Sequence, residues 1–264
     1  MDIATWKKRL EELPLGNLYL YQEIGSTNLE AEALVLKDAP HLSLVLADSQ
    51  ITGKGRQGRT WVTRAGKALA FSLILFPKSG QLEPASLGRL SGLAALAVAE
   101  TLQDKFGLPA QIKWPNDVLV SRKKVAGVLV DVHWQGDRVQ HVVLGVGINV
   151  NQGSVPDQIP LNFPATSLEE AAGSKFSRLD LLINILESLL KWYSEIQDPA
   201  LIQSWNAYLA FKNEQVKLTN EKGVIDQGII TGIAEDGSLI LLSTEGQERL
   251  YHSGEIQLRL VDRS

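Results

Sequence analysis

Apolar and polar positions along this chain change period several times, and each change marks an element. Residues 2 to 12 place Trp6 and Leu10 on one face of a short amphipathic helix. NLYLYQEI, residues 17 to 24, alternates like a half-buried strand. Ser26 or Thr27 then stands as an N-cap, with Glu30 three after Thr27 at capping-box spacing, and a helix is predicted to about Lys37. Leu42 to Ala47 and KALAFSLILF, 67 to 76, are apolar runs that predict buried strands. Pro84 to Phe106 is rich in Ala and Leu and closes before Gly107-Leu108-Pro109, which predicts a buried helix.

Four strands are expected next, at Gln111–Trp114, Val118–Val120, Lys124–Val132 and Val139–Val150. The turns at Pro115-Asn116-Asp117, Arg122-Lys123 and Gly136-Asp137 are short, so neighbours should run antiparallel. The last of these strands is expected to be a long sheet edge, open to a second copy or to a docked partner. Residues 152 to 164 have no period and read as loop. A short helix over 167–172 and amphipathic helices over 178–196 and 198–209 follow. From Glu214 the texture becomes short strands with turns at Lys222-Gly223, Asp236-Gly237 and Glu245-Gly246, a meander or small barrel. We therefore divide the chain into residues 1–212 and 213–264.

Composition narrows the function without naming it. The 264 residues are 44% hydrophobic and 21% charged, with a net charge of −4. That balance opposes a protein devoted to non-specific binding of nucleic acid or anionic membrane. No cysteine is present, which excludes disulfides, thiolate metal sites and a thiol nucleophile. None of His41, His133, His141 and His252 lies at metal-ligand spacing from another, so no histidine metal site is expected. No window reaches 18 apolar residues, and no signal segment opens the chain, so a cytoplasmic protein is expected.

The local charge is the exception. QITGKGRQGRTW, residues 50 to 61, matches the spacing G-x-G-x-x-G at Gly53, Gly55 and Gly58, and nearly matches a P-loop. Both motifs require a helix to start at the last glycine. Here a polar loop and a β-rich run follow, so both are rejected. What remains is a glycine-rich loop with Lys54, Arg56, Arg59, Arg64 and Lys67 and no acid between Ser49 and Lys67. Such a loop suits close approach to an anion, with arginine supplying paired donors.

Three further stretches stand out. Lys113-Trp114-Pro115-Asn116-Asp117, taken alone a hairpin turn with a core tryptophan, also suits a phosphate–metal corner with Lys113 on phosphate and Asp117 on Mg²⁺ directly or through water. Lys123-Lys124-Val125-Ala126-Gly127 opens a strand with small residues, as either a solvated turn or a lysine along a ligand groove. Gly145 and Gly147 lie in an apolar strand, which suits close approach to its backbone.

In this order, STN, Q-x-x-GKGRQGR-x-W, KWPND, KKVAGVLVD and GVGINVN resemble a biotin–protein ligase over about residues 20 to 151. The C-terminal β segment is more weakly similar to that family's small SH3-like domain. The resemblance implies an α+β fold with a mixed, largely antiparallel central sheet flanked by helices, class II synthetase-like, and a small C-terminal β-barrel. It implies a catalytic biotin- and ATP-binding domain over 1–212 and activation of biotin by ATP to biotinoyl-5′-AMP, with Mg²⁺. Transfer to a lysine of a biotin carboxyl carrier protein, a subunit of acetyl-CoA carboxylase, follows.

Carried over residue by residue, the resemblance gives Ser26, Thr27 and Asn28 to the ureido head of biotin. Gln50, Gly53, Lys54, Gly55, Arg56, Lys124 and Gly127 lie along biotin and its activated carboxyl. Arg56, Arg59, Trp61, Lys113, Asn116, Lys124, Gly145 and Asn149 serve the nucleotide, and Asp117 the metal. Arg56, Lys124 and Lys113 form the catalytic group. Lys54 departs from the arginine of several relatives and loses the bidentate fork. Only about twenty residues precede the first matching strand, too few for a helix-turn-helix unit, so no DNA partner is expected. A homodimer is left open. The rival readings are a lipoate ligase of the same fold, a biotin-sensing regulator and a non-catalytic binding protein.

Overall fold

The side-chain carboxylate of Asp2 accepts from the Ala4 amide and starts helix α1 (Ile3–Leu10), whose Trp6 and Leu10 are buried as expected. The chain then enters a seven-stranded sheet. In this computed structural model residues 1–78, 82, 86–156, 163–220, 223–252 and the strand at 257–260 are described. The strands are β1 (Leu18–Ile24), β2 (Ser43–Gln50), β3 (Ala68–Leu75), β4 (Ala110–Lys113), β5 (Asp117–Val120), β6 (Lys123–Gln135) and β7 (Arg138–Asn149). Their order is β1-β2-β3-β7-β6-β5-β4. The β1–β2 pair is parallel and every other pairing is antiparallel, as the short turns predict.

That order overturns the expectation for the last long strand. β7 is hydrogen-bonded to β3 on one side and β6 on the other, so it lies inside the sheet. It is buried from His141 to Asn149, as a strand covered on both faces must be. The open edges of this sheet are β1 and β4.

One face carries α3 (Leu87–Phe106) with α5 (Arg178–Ser194) and α6 (Pro199–Tyr208) against it. α3 is apolar nearly all round and ends at Gly107 in the left-handed conformation. Pro84, where the sequence begins this helix, lies outside the described residues. The other face carries α2 (Thr27–Val35), over a smaller cluster of Ala31, Leu34, Val45, Ile74 and Val143. A short helix α4 (Leu168–Ala172) starts with a capping box from Ser167 and Glu170. None of the described helices is long and apolar enough to cross a membrane.

The C-terminal strands β8 (Gln215–Asn220), β9 (Gly223–Ile233), β10 (Leu239–Ser243), β11 (Glu248–Tyr251) and β12 (Gln257–Leu260) form a second, antiparallel sheet in the order β11-β10-β9-β8-β12. Its Val216, Leu218, Ile230 and Leu241 belong to the same apolar cluster as the core under the first sheet. Trp114, fully buried, donates its indole N–H to Gly237 O at 3.1 Å across the seam. The Trp114–Pro115 peptide bond is cis.

Candidate active site

A cleft on the α2 face of the first sheet gathers residues that lie far apart in sequence. Its floor is β6 and β7, one wall is the start of α2, and the other is the segment between β2 and β3.

The α2 wall is a hydrogen-bonded polar network. Ser26, Thr27 and Asn28 are all buried. Ser26 occupies the N-cap position but makes no side-chain cap bond, and Glu30 instead accepts from the Tyr21 hydroxyl at 2.9 Å. The capping box expected at Thr27–Glu30 does not form, because the hydroxyls of this turn face the cleft side rather than the helix amides. The Thr27 amide is satisfied by Gln50 Oε1 at 2.8 Å, and Gln50 Nε2 donates to Thr63 Oγ1 at 2.9 Å. Asn28 Nδ2 donates to Asp131 Oδ2 at 2.8 Å. Ser72 Oγ lies 2.8 Å from Thr27 Oγ1 and 2.7 Å from Asn28 Oδ1. Sequence reasoning did not assign Ser72 or Asp131. The signal was a lone serine in the otherwise apolar run ALAFSLIL and a lone acid in VLVDV, each too expensive to bury without a partner.

The cationic wall starts from the glycine-rich stretch. No helix follows it. Gly55 N donates to Arg59 O at 2.7 Å and Trp61 N to Gly53 O at 2.8 Å, and bridges link Lys54 to Thr60 and Gln50 to Thr63, so the segment folds back on itself like a hairpin. Its tip is a single 3-10 turn, Arg56–Gly58, with Gln57 and Gly58 both left-handed (φ 58° and 69°). Arg56 points inward and donates from Nη1 to Asn116 Oδ1 at 3.1 Å. Burial pulls its guanidinium below the usual value, Asp117 opposes that, and the like charge of Arg59 adds to it. Arg59 is exposed and donates to Gln57 Oε1 at 2.6 Å.

Glycines let these walls meet. A side chain at Gly145 would collide with Asn28 Oδ1, and one at Gly147 with the Trp61 ring. Gly145, assigned by resemblance to the nucleotide, thus lies against the residue assigned to biotin. Gly53 leaves room for Trp61 O and for the Gln50 amide. Trp61 lines the cleft, and its indole N–H is buried over Gly147 without a hydrogen-bond partner. Lys124 Nζ lies 5.4 Å from the centroid of that ring and 3.0 Å from a Cβ placed on Gly127.

Behind Lys124 sits a buried charge cluster. Asp117 Oδ1 is 2.6 Å from Lys124 Nζ and Oδ2 is 3.6 Å from Lys113 Nζ. Burial raises the Asp117 carboxyl, but Lys124 and then Lys113 outweigh it and hold the group below its ordinary value. Lys113 also faces the Phe163 ring at 4.5 Å. Of the residues assigned from sequence, Ser26, Thr27, Asn28, Gln50, Lys54, Gly55, Arg56, Trp61, Asn116, Lys124, Gly127 and Gly145 line the cleft. Gly53, Arg59, Lys113, Asp117 and Asn149 do not. Gly53 and Asp117 support neighbours that do, and Asn149 is buried at the end of β7 opposite Ala68.

Residues 21–149 match the Biotin/lipoate A/B protein ligase family and residues 212–259 the Biotin protein ligase C terminal domain. The Biotin--[acetyl-CoA-carboxylase] ligase of Paracoccus denitrificans is 35% identical over 233 residues, 84% of this chain and 93% of that protein. The chain belongs to the biotin protein ligase family. The Bifunctional ligase/repressor BirA of Bacillus subtilis is 34% identical over 250 residues, 92% of this chain and 75% of its own length. Among solved structures, the biotin protein ligase from Aquifex aeolicus in complex with biotin and ATP superposes with a TM-score of 0.78 at 32% identity, covering 93% and 99% of the two chains.

Family membership raises the question of Mg²⁺. Both oxygens of Asp117 face ammonium groups. A divalent cation bound directly there would displace or repel two lysines, so of the two arrangements expected from sequence, direct or through water, this carboxylate does not fit the direct one. Magnesium held mainly by substrate phosphates and water needs no such cage.

Proposed function

We propose that this chain is a biotin–protein ligase that adenylates biotin and passes it to a lysine of the biotin carboxyl carrier protein of acetyl-CoA carboxylase. The observation that carries the reading is the juxtaposition, in one cleft, of a buried neutral polar wall and a cationic wall. The first suits a ureido group, whose N–H and C=O need partners once buried. Thr27, Asn28 and Ser26 are read as those partners, with Gln50 and Ser72 fixing their orientation. The second suits a carboxylate brought against a triphosphate, two anions that repel unless fixed cations meet them.

On this reading a biotin carboxylate oxygen attacks the α-phosphorus of ATP and pyrophosphate leaves. Arg56 and Lys124 meet the charge at the forming carboxyl–phosphate linkage. Asp117, whose other oxygen faces Lys113, holds Lys124 in place from behind, and Asn116 does the same for Arg56. The hairpin-like segment from Gln50 to Trp61 covers the mixed anhydride and keeps water away. The amine of the carrier lysine then attacks the acyl carbon, AMP leaves, and the amine loses its proton. Positioning and electrostatics supply the catalysis, with no protein nucleophile. The match to the biotin ligase C-terminal domain favours biotin over lipoate. The net charge of −4 favours an enzyme over an operator-binding protein, and the cytoplasm, where ATP and the carrier meet, as its place.

Incubation with ATP, Mg²⁺, biotin and a carrier domain tests this. The carrier should gain the mass of one biotinoyl group. A carrier that gains nothing from biotin, or a lipoyl domain modified in its place, sinks the assignment.

A further inference from the structure

Outside the proposed reaction, three ligating side chains converge. Glu32 comes from α2, His133 from β6 and His141 from β7. The two histidines stand eight residues apart, not at a metal-ligand spacing, which is why no histidine metal site is expected from the chain alone. The β6–β7 register makes them cross-strand partners. Their rings stack at 4.3 Å with an interplanar angle of 6°. Glu32 lies one helical turn beyond Asn28 and reaches both: Oε2 is 2.9 Å from His141 Nε2 and Oε1 is 2.8 Å from His133 Nε2.

We propose that Glu32, His133 and His141 form a binding site for a late first-row divalent ion such as Zn²⁺ or Co²⁺. The three donor atoms lie within 4.8 Å of one another, a spacing that one ion spans. Two imidazoles and one carboxylate suit zinc, cobalt or nickel far better than magnesium. The contact of Glu32 Oε1 with His133 has hydrogen-bond length without hydrogen-bond geometry, so this oxygen is buried with no true donor. His141 is held from behind by the Phe76 ring at 6.1 Å. The His133 side chain is 45% exposed and can fan away from its stacked partner to admit the ion. Three protein ligands leave a fourth position for water. Two of them, His133 and Glu32, also line a hollow with Asn28, Lys54 and Asp131.

The test uses tag-free, chelator-dialysed full-length protein, titrated calorimetrically with Zn²⁺ and, separately, with Co²⁺ followed by visible ligand-field absorption. One saturable equivalent is expected. His133→Ala, at an exposed position, should weaken it at least about tenfold and abolish the cobalt band. Glu32→Gln, which retains an acceptor for His141, should do the same, and thermal melts by circular dichroism confirm that each variant is folded. Absence of saturable uptake by the wild type, or uptake unchanged in folded His133→Ala, overturns the proposal.

Discussion

Arg56 is the residue on which the proposed retention of the intermediate turns. It lines the cleft, donates to Asn116, and has its guanidinium held below the usual value by burial, a cost that an anion beside it would offset. Arg56→Ala should speed release of biotinoyl-AMP at least about tenfold, the loss of one charged hydrogen bond worth roughly 1.5–3 kcal/mol. The measurement is the rate at which labelled adenylate leaves the enzyme, and acylation of bystander lysines should rise with it. Retention equal to wild type would remove Arg56 from the phosphate. Gly145 makes a second residue-scale argument. Any side chain there strikes Asn28 Oδ1, which Ser72 and Asp131 hold in place. Gly145→Ala should lower the thermal midpoint, overpacking of such a site costing about 1–3 kcal/mol of stability, and weaken biotin binding because Asn28 must move. Calorimetric titration with biotin checks it.

At the scale of elements, the turn from β4 into β5 is closed by the Lys113–Asp117 pair, and Lys124 of β6 reaches the same carboxylate. Removing that carboxylate leaves a buried and a half-buried ammonium uncompensated, so Asp117→Asn should cost up to about 3–5 kcal/mol of stability and impair adenylation together. The sign with pH follows from the lowered carboxyl. The wild-type advantage is complete above the unfolded value of 3.8 and is lost as pH falls through the lower folded value. Melting both proteins across pH should therefore show a gap that narrows in acid, and a gap that widens there would contradict the ion cluster. Most elements were legible because each has one period: α1, α3, α5 and the hairpins β4 to β7 lie within a few residues of their predicted places. The burial of β7 between β3 and β6 was not, because a buried strand and an apolar edge strand read alike along the chain. Nor was the meeting of His133 with His141, which depends on register rather than spacing. The cleft residues were legible where unusual residues cluster in sequence, as in Gly53–Trp61. Ser72 and Asp131 were single polar positions inside strands and pointed nowhere until α2 was laid over them.

For the whole molecule, the second sheet begins at Gln215. The packing does not divide there. Leu218, Ile230 and Leu241 share a core with α3 and with Trp114, and Arg89, buried on α3, donates to the carbonyls of Glu235 and Ile196. Trp114 belongs to the same Lys113–Asp117 stretch that carries Asn116, so the seam and the cleft are separated by one or two residues of backbone. A shared core has a thermodynamic consequence. Two units that each bury apolar surface against the other cannot lose one without exposing the other, so unfolding should be a single cooperative event with equal calorimetric and van't Hoff enthalpies. Trp114→Phe keeps the ring in the core but leaves the Gly237 carbonyl without its donor, at a cost of about 1–3 kcal/mol. Its melt should move down as one transition, with both sheets lost together. A separate early transition, assigned to the C-terminal strands by protease cleavage near residue 212, would show that the seam is an interface between independent domains rather than part of one core.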